Sequence, residues 1–190
     1  DRASEIAPDI AEIKTRYAIF EKIQGNEEKS QRLAAEALKL DPSDIGAGQI
    51  VIAELAKQQK DDEIKKLIDN VIAYEKSPAY SKLFFADYYT MLGRPQDTLS
   101  VLSNLPKELY NTTTYQIVSA KAYLRNGQSQ RAVSILEAVS QANPNNIIIL
   151  KHLLQGYLLI KDQTKYQSTL EKIDTLRPND FINQMEWAQL

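Results

Sequence analysis

Cysteine is absent from these 190 residues, which excludes disulfides, thiolate catalysis and thiolate-held metals. Histidine occurs once, at His152, and neither a Gly-rich phosphate loop nor a metal-ligand spacing is present, so the cluster of activated groups that an enzyme needs is missing. The expectation is a non-enzyme without a cofactor or metal. Neither charge is in large excess: 23 Lys and Arg face 25 Asp and Glu, which leaves no basic surplus to bind nucleic acid or an anionic membrane. Long apolar runs are also lacking. The most apolar stretch, "IIILKHLLQGYLLI" from Ile147 to Ile160, is 14 residues long and carries Lys151, His152 and Gln155, whereas a membrane span takes about 20 mostly apolar residues. It reads as a buried helix of a soluble protein. Cysteine avoidance fits a reducing compartment or a bacterial envelope, and together with many Gln, Asn and Ile it leans towards a bacterial cytoplasmic or periplasmic protein.

What remains is an ordinary globular composition, 43% hydrophobic and 25% charged. It is organised by a period. Pro8, Pro42, Pro144 and Pro178 lie on one ladder with a step of 34 residues, and Pro78 and Pro106 stand close to its missing rungs at Lys76 and Tyr110. Gly25, Gly93 and Gly127 share another rung, completed by Gln59 and Lys161, where a left-handed residue ends a helix. Each period is therefore two helices. Ahead of that break stand the small residues Ala18, Ala86 and Ala120, with Tyr89, Tyr123 and Tyr157 as a recurring aromatic; after it come Ser30, Thr98 and Ala132, then Leu102, Leu136 and Leu170. Spacings of three and four put them on single helix faces. Small residues let two helices approach and bulky ones fill the space around them. "DPSD", "NPNN" and "RPND" stop one helix and cap the next.

This order of small residue, aromatic, Gly break, small residue, bulky apolar and closing Pro resembles the tetratricopeptide repeat (TPR) family. It is clearest in "SAKAYLRNGQSQRAVSILEAVSQANPNN", with Ala120, Tyr123, Gly127, Ala132, Leu136 and Pro144 in the family's order. The resemblance implies an all-α fold, a right-handed α-α superhelix of antiparallel helix pairs whose first helices line a concave side. The whole chain, 1–190, is then one solenoid. Its repeats run 11–44, 45–78, 79–112, 113–146 and 147–180; 1–10 ends an upstream repeat (Ala3, Pro8), and 181–190 starts another (Trp187, Ala188), as in a piece of a longer protein.

Two repeats depart from the pattern. Ile52 and Ile64 replace small residues in the second, so its helices should sit further apart. Pro106 should end the second helix of the third repeat near Asn104 and make "PKELYNTT" a longer connection. Asp61 and Asp62 read as favourable charges at a helix start. "NTT" at Asn111 to Thr113 has the N-glycosylation pattern, and His152 is assigned no role. The aromatics Phe84, Phe85, Tyr88 and Tyr89 read as packing.

Removing the packing rungs from each first helix leaves the residues expected to face the groove. These are Thr15 and Ile19, Gln49 and Ala53, then Tyr80, Leu83 and Asp87, Thr114, Ile117 and Lys121, and Ile148, Lys151 and Gln155. Apolar side chains with a few charges suit a peptide or helix of a partner protein. The carboxylate clamp of some family members finds no match at Thr15, Ile19, Gln49 and Ala53. The expected function is a protein-interaction scaffold; the alternative is an architectural or regulatory TPR segment of a larger protein, such as a bacterial envelope or export component or an arm on an enzyme. Self-association through incomplete end repeats is a further expectation.

Overall fold

The structure is a computed structural model that describes residues 10–178. The expected partial repeats at 1–10 and 181–190 thus lie outside the described residues, save Ile10. Ten α-helices and one short 3-10 turn make up the described chain, and no strand occurs among the described residues, so the fold is all-α. The first helices are α1 (Ala11–Ile23), α3 (Ile45–Lys57), α5 (Ala79–Met91), α7 (Thr113–Arg125) and α9 (Ile147–Ile160). The second helices are α2 (Glu27–Leu40), α4 (Asp61–Ala73), α6 (Pro95–Ser103), α8 (Ser129–Ala142) and α10 (Gln163–Leu176). Within each series the starts are 34 residues apart.

Helix ends follow from local chemistry. Asp44 accepts from the Ala47 amide at 2.9 Å, Asn146 from Ile148 at 3.0 Å and Asp162 from Lys165 at 3.0 Å, so polar side chains satisfy amides that the first turn leaves open. Each first helix ends the same way. The amides of Asn26, Lys60, Arg94, Gln128 and Asp162 donate to the carbonyls of Glu21, Leu55, Tyr89, Tyr123 and Tyr157, at 2.8 to 2.9 Å. That closure needs a left-handed residue just before the donor. Gly25, Gly93 and Gly127 supply it with φ of 81°, 72° and 75°, while Gln59 and Lys161 take φ of 56° and 61° despite their β-carbons.

The two helices of a repeat cross at residues 12 apart. Ala18 meets Ser30 and Ala86 meets Thr98; each hydroxyl donates to the opposing alanine's carbonyl at 2.8 Å, pinning the crossing from inside the core. Ala120 and Ala132 make the same crossing without a hydroxyl, both wholly buried. In the second repeat Ile52 and Ile64 occupy these places, and α3 and α4 approach each other least of the paired helices.

The chain forms two compact units, divided between Leu105 and Pro106. Pro106 follows the α6 cap at Asn104 and precedes the 3-10 turn Lys107–Leu109, so a proline that cannot continue a helix accounts for the long connection. In the first unit the core comprises Ala18, Leu33, Ala34 and Ala37 with Ala47 and Ile50, and then Ile64, Ile68 and Val71 with Phe85 and Tyr89. In the second, Ala120, Leu136 and Val139 join Ile149, Leu153, Leu170 and Ile173. Successive repeats are also tied by charge. Tyr89 donates to Asp69 at 2.5 Å, and Tyr157 donates to Glu137 at 3.0 Å, with Lys165 on the same carboxylate at 2.8 Å.

Candidate functional site

The residues expected to face a groove are held by first helices, and each unit places its own set. In the first unit Tyr80 is 51% exposed and Ile19 is 43% exposed; Gln49 and Ala53 are exposed, and Asp87 is half-buried. Two members are corrected. Leu83 is completely buried, between the buried Ser81 and Phe85 on the same helix, because a leucine with packing neighbours on both sides gains more from leaving water than from facing it. Thr15 is buried as well: its methyl lies where a β-carbon on Gly46 would come within 2.7 Å, so it packs α1 against α3. Neither side chain is available to a partner.

In the second unit Ile148 is 61% exposed and Gln155 is exposed, while Thr114, Ile117, Lys121 and Lys151 are half-buried. The two helices that carry them touch through Ile117 and Leu124 of α7 and Leu150, Leu153 and Leu154 of α9, which belong to one core. Gly156 permits the approach, since a β-carbon there would stand 2.6 Å from a Val133 methyl of α8. The face is therefore rigidly based, with its polar and apolar tips turned outward.

Features that the sequence reading missed lie on the second helices. Between α2 and α4 opens a cleft of about 650 Å³ with Leu38, Pro42, Leu67 and Tyr74 as its apolar part and Glu63, Lys66 and Asn70 around it. The same place in the second unit holds Ser140, Gln141 and Lys172 beside Pro144 and Tyr157, and measures about 420 Å³. The signal was present as the stripe Glu63, Leu67, Asn70 and Tyr74, spaced by four, three and four along α4. Apolar side chains also stand in water at Phe20 and Ile23 of α1, Met91 of α5, and Leu158 and Leu159 of α9.

The perturbed acids are structural. Glu21 is held down to about 2 by hydrogen bonds from Lys29 and Asn26, despite its burial. Lys165 holds Glu137 below the carboxylate range, and Lys14 does the same for Glu36. Burial pushes Asp69 up, but its bonds from Lys65 and Tyr89 outweigh this and lower it. Among the described residues no three His, Asp or Glu side chains gather to hold a metal ion, and no helix is long and apolar enough to cross a membrane.

Repeated helix pairs starting every 34 residues, closed by a left-handed residue and crossed at small side chains, define a helical-repeat protein with the tetratricopeptide-repeat fold. Solved structures agree. YrrB, a TPR protein with an unusual peptide-binding site, matches with TM-score 0.63 and 16% identity over 100% of this chain and 97% of its own. PilW, a widely conserved type IV pilus biogenesis factor, matches with TM-score 0.70 and 16% identity over 87% of this chain and 77% of its own. A tetratricopeptide repeat protein from Parabacteroides merdae ATCC 43184 gives TM-score 0.70 and 10% identity over 87% and 64%. No protein-family model matches the sequence, and the comparison with curated proteins finds no match. At such identities the likeness concerns the fold.

Proposed function

We propose that this chain is a non-catalytic interaction scaffold that docks a peptide or helix of a partner protein on the exposed faces of its first helices. The observation that carries the reading is the pair Tyr80 and Ile148. They occupy the same position of two repeats, 68 residues apart, and stay 51% and 61% exposed where the rest of the period buries its large apolar groups. Asp87 in the first unit, and Thr114, Ile117, Lys121, Lys151 and Gln155 in the second, supply polar and apolar contacts beside them. Apolar tips contribute affinity when a partner covers them, and the flanking polar groups set register. Treating the five repeats as one array belongs to the same proposal, as does self-association as a secondary mode. That the TPR-fold protein YrrB carries a peptide-binding site supports the class of partner.

Selection of peptides from a random displayed library on the intact chain tests this. Selected peptides should lose more than about tenfold in affinity for the variant Tyr80→Ala/Ile148→Asp, with its helical circular dichroism unchanged. Equal affinity for that variant contradicts the proposal.

A further inference from the structure

The charge of the second unit is distributed unevenly. Its first helices, α7 "TTYQIVSAKAYLR" and α9 "IIILKHLLQGYLLI", contain no Asp or Glu, but carry Lys121, Arg125 and Lys151 together with His152. The acids of residues 106–178 are Glu108, Glu137, Asp162, Glu171 and Asp174; all lie on second helices or connections, and Glu137 is already engaged by Lys165 and Tyr157. Over this stretch nine Lys and Arg stand against five Asp and Glu, in a chain whose formal net charge is -2. The surplus of positive charge is local. It coincides with the exposed Ile148 and the half-buried Ile117 on the same two helices.

We propose that the second unit's first-helix face takes an acidic partner segment, one in which Asp or Glu side chains alternate with aliphatic ones. This rests on the docking reading above and specifies its partner. Two side chains of like sign on adjoining helices, with no carboxylate on either helix, repel a basic segment and attract an acidic one. The effect is strongest where half-burial shields the lysines from salt. Carboxylates on the partner meet Lys121 and Lys151, and an aliphatic side chain covers Ile148. A nucleic acid would meet the same cations, but phosphate recognition draws nothing from Ile148 and Ile117, and the chain as a whole is acidic.

The composition of the peptides selected on the intact chain decides the matter. Enrichment of Asp and Glu beside Leu, Ile or Met is expected, with affinity falling more than about tenfold between 50 mM and 500 mM NaCl. The variant Lys121→Glu/Lys151→Glu should reverse the selection in favour of Lys and Arg. Peptides that are neutral or basic, and whose binding Tyr80→Ala/Ile148→Asp still weakens, would overturn the acidic partner and leave the docking face standing. Recovery of no peptide at all would overturn both. A fluorescein-labelled 20-nucleotide single strand binding more tightly than the selected peptides would assign the face to nucleic acid and overturn the inference as well.

Discussion

The Phe85 ring lies against Gly48 so closely that a β-carbon on the glycine would stand 2.3 Å from Cζ. Phe85 is wholly buried, so its ring has no solvent to swing into, and α5 seats on α3 through this contact. Gly48→Ala gains about 1 kcal/mol of helix propensity but overpacks the contact at a cost of about 1–3 kcal/mol. A double-mutant cycle separates the two. Chemical denaturation should show Gly48→Ala costing stability beside Phe85 and raising it in a Phe85→Leu background; the same effect in both would remove the contact from the account.

Five helix ends share one left-handed position, and two of them are not glycine. Gln59→Gly and Lys161→Gly relieve a strained β-carbon and should each raise stability by about 0.5–1 kcal/mol, after the entropy that glycine adds to the unfolded chain. Gly127→Ala, with open space around its β-carbon but φ of 75°, should lower stability by about 1 kcal/mol. Thermal unfolding of the three variants reads the signs directly.

Acid should destabilise the first repeat through Glu21. Its carboxyl is lowered from an ordinary 4.5 to about 2, so the folded state holds the charged form that the unfolded state gives up first. The resulting stability is complete above about pH 5 and drains away as pH falls towards 2. Glu36 and Glu137 shift in the same direction and share the acid limb. Glu21→Gln should flatten the fall in melting temperature between pH 5 and pH 2 relative to the native chain. An identical pH profile would show that the Lys29 and Asn26 bonds carry no such linkage.

Tyr89→Phe should cost about 1–3 kcal/mol, because Asp69 loses one of its two partners in a half-buried place between α4 and α5. Pairing the change with Asp69→Asn should recover part of that loss. Strict additivity of the two in a denaturation cycle would argue that the bond does not tie these repeats together.

Much of this was legible in the sequence because the period sets local chemistry. The rung of Gly25, Gln59, Gly93, Gly127 and Lys161 marked the helix ends, Ile52 and Ile64 marked the widened pair, and Pro106 marked the long connection. The candidate face was less legible. Rung arithmetic places Leu83 beside Tyr80 and Asp87, but burial depends on what neighbouring helices press against a side chain, and a leucine gives no sign of this in one dimension. Gly46, Gly48 and Gly156 escaped notice for the same reason: their value is the space that Thr15, Phe85 and Val133 occupy from other helices. The cleft beside Leu38, Leu67 and Tyr74 likewise joins two repeats.

Amide chemical-shift mapping of the isotope-labelled chain, titrated with its selected peptide, tests the central claim most directly. The account predicts perturbations centred on Tyr80 and Asp87 in the first unit or on Ile117, Lys121, Ile148 and Gln155 in the second. Perturbations centred instead on Leu38, Leu67 and Tyr74, with the first-helix faces unmoved, would contradict it.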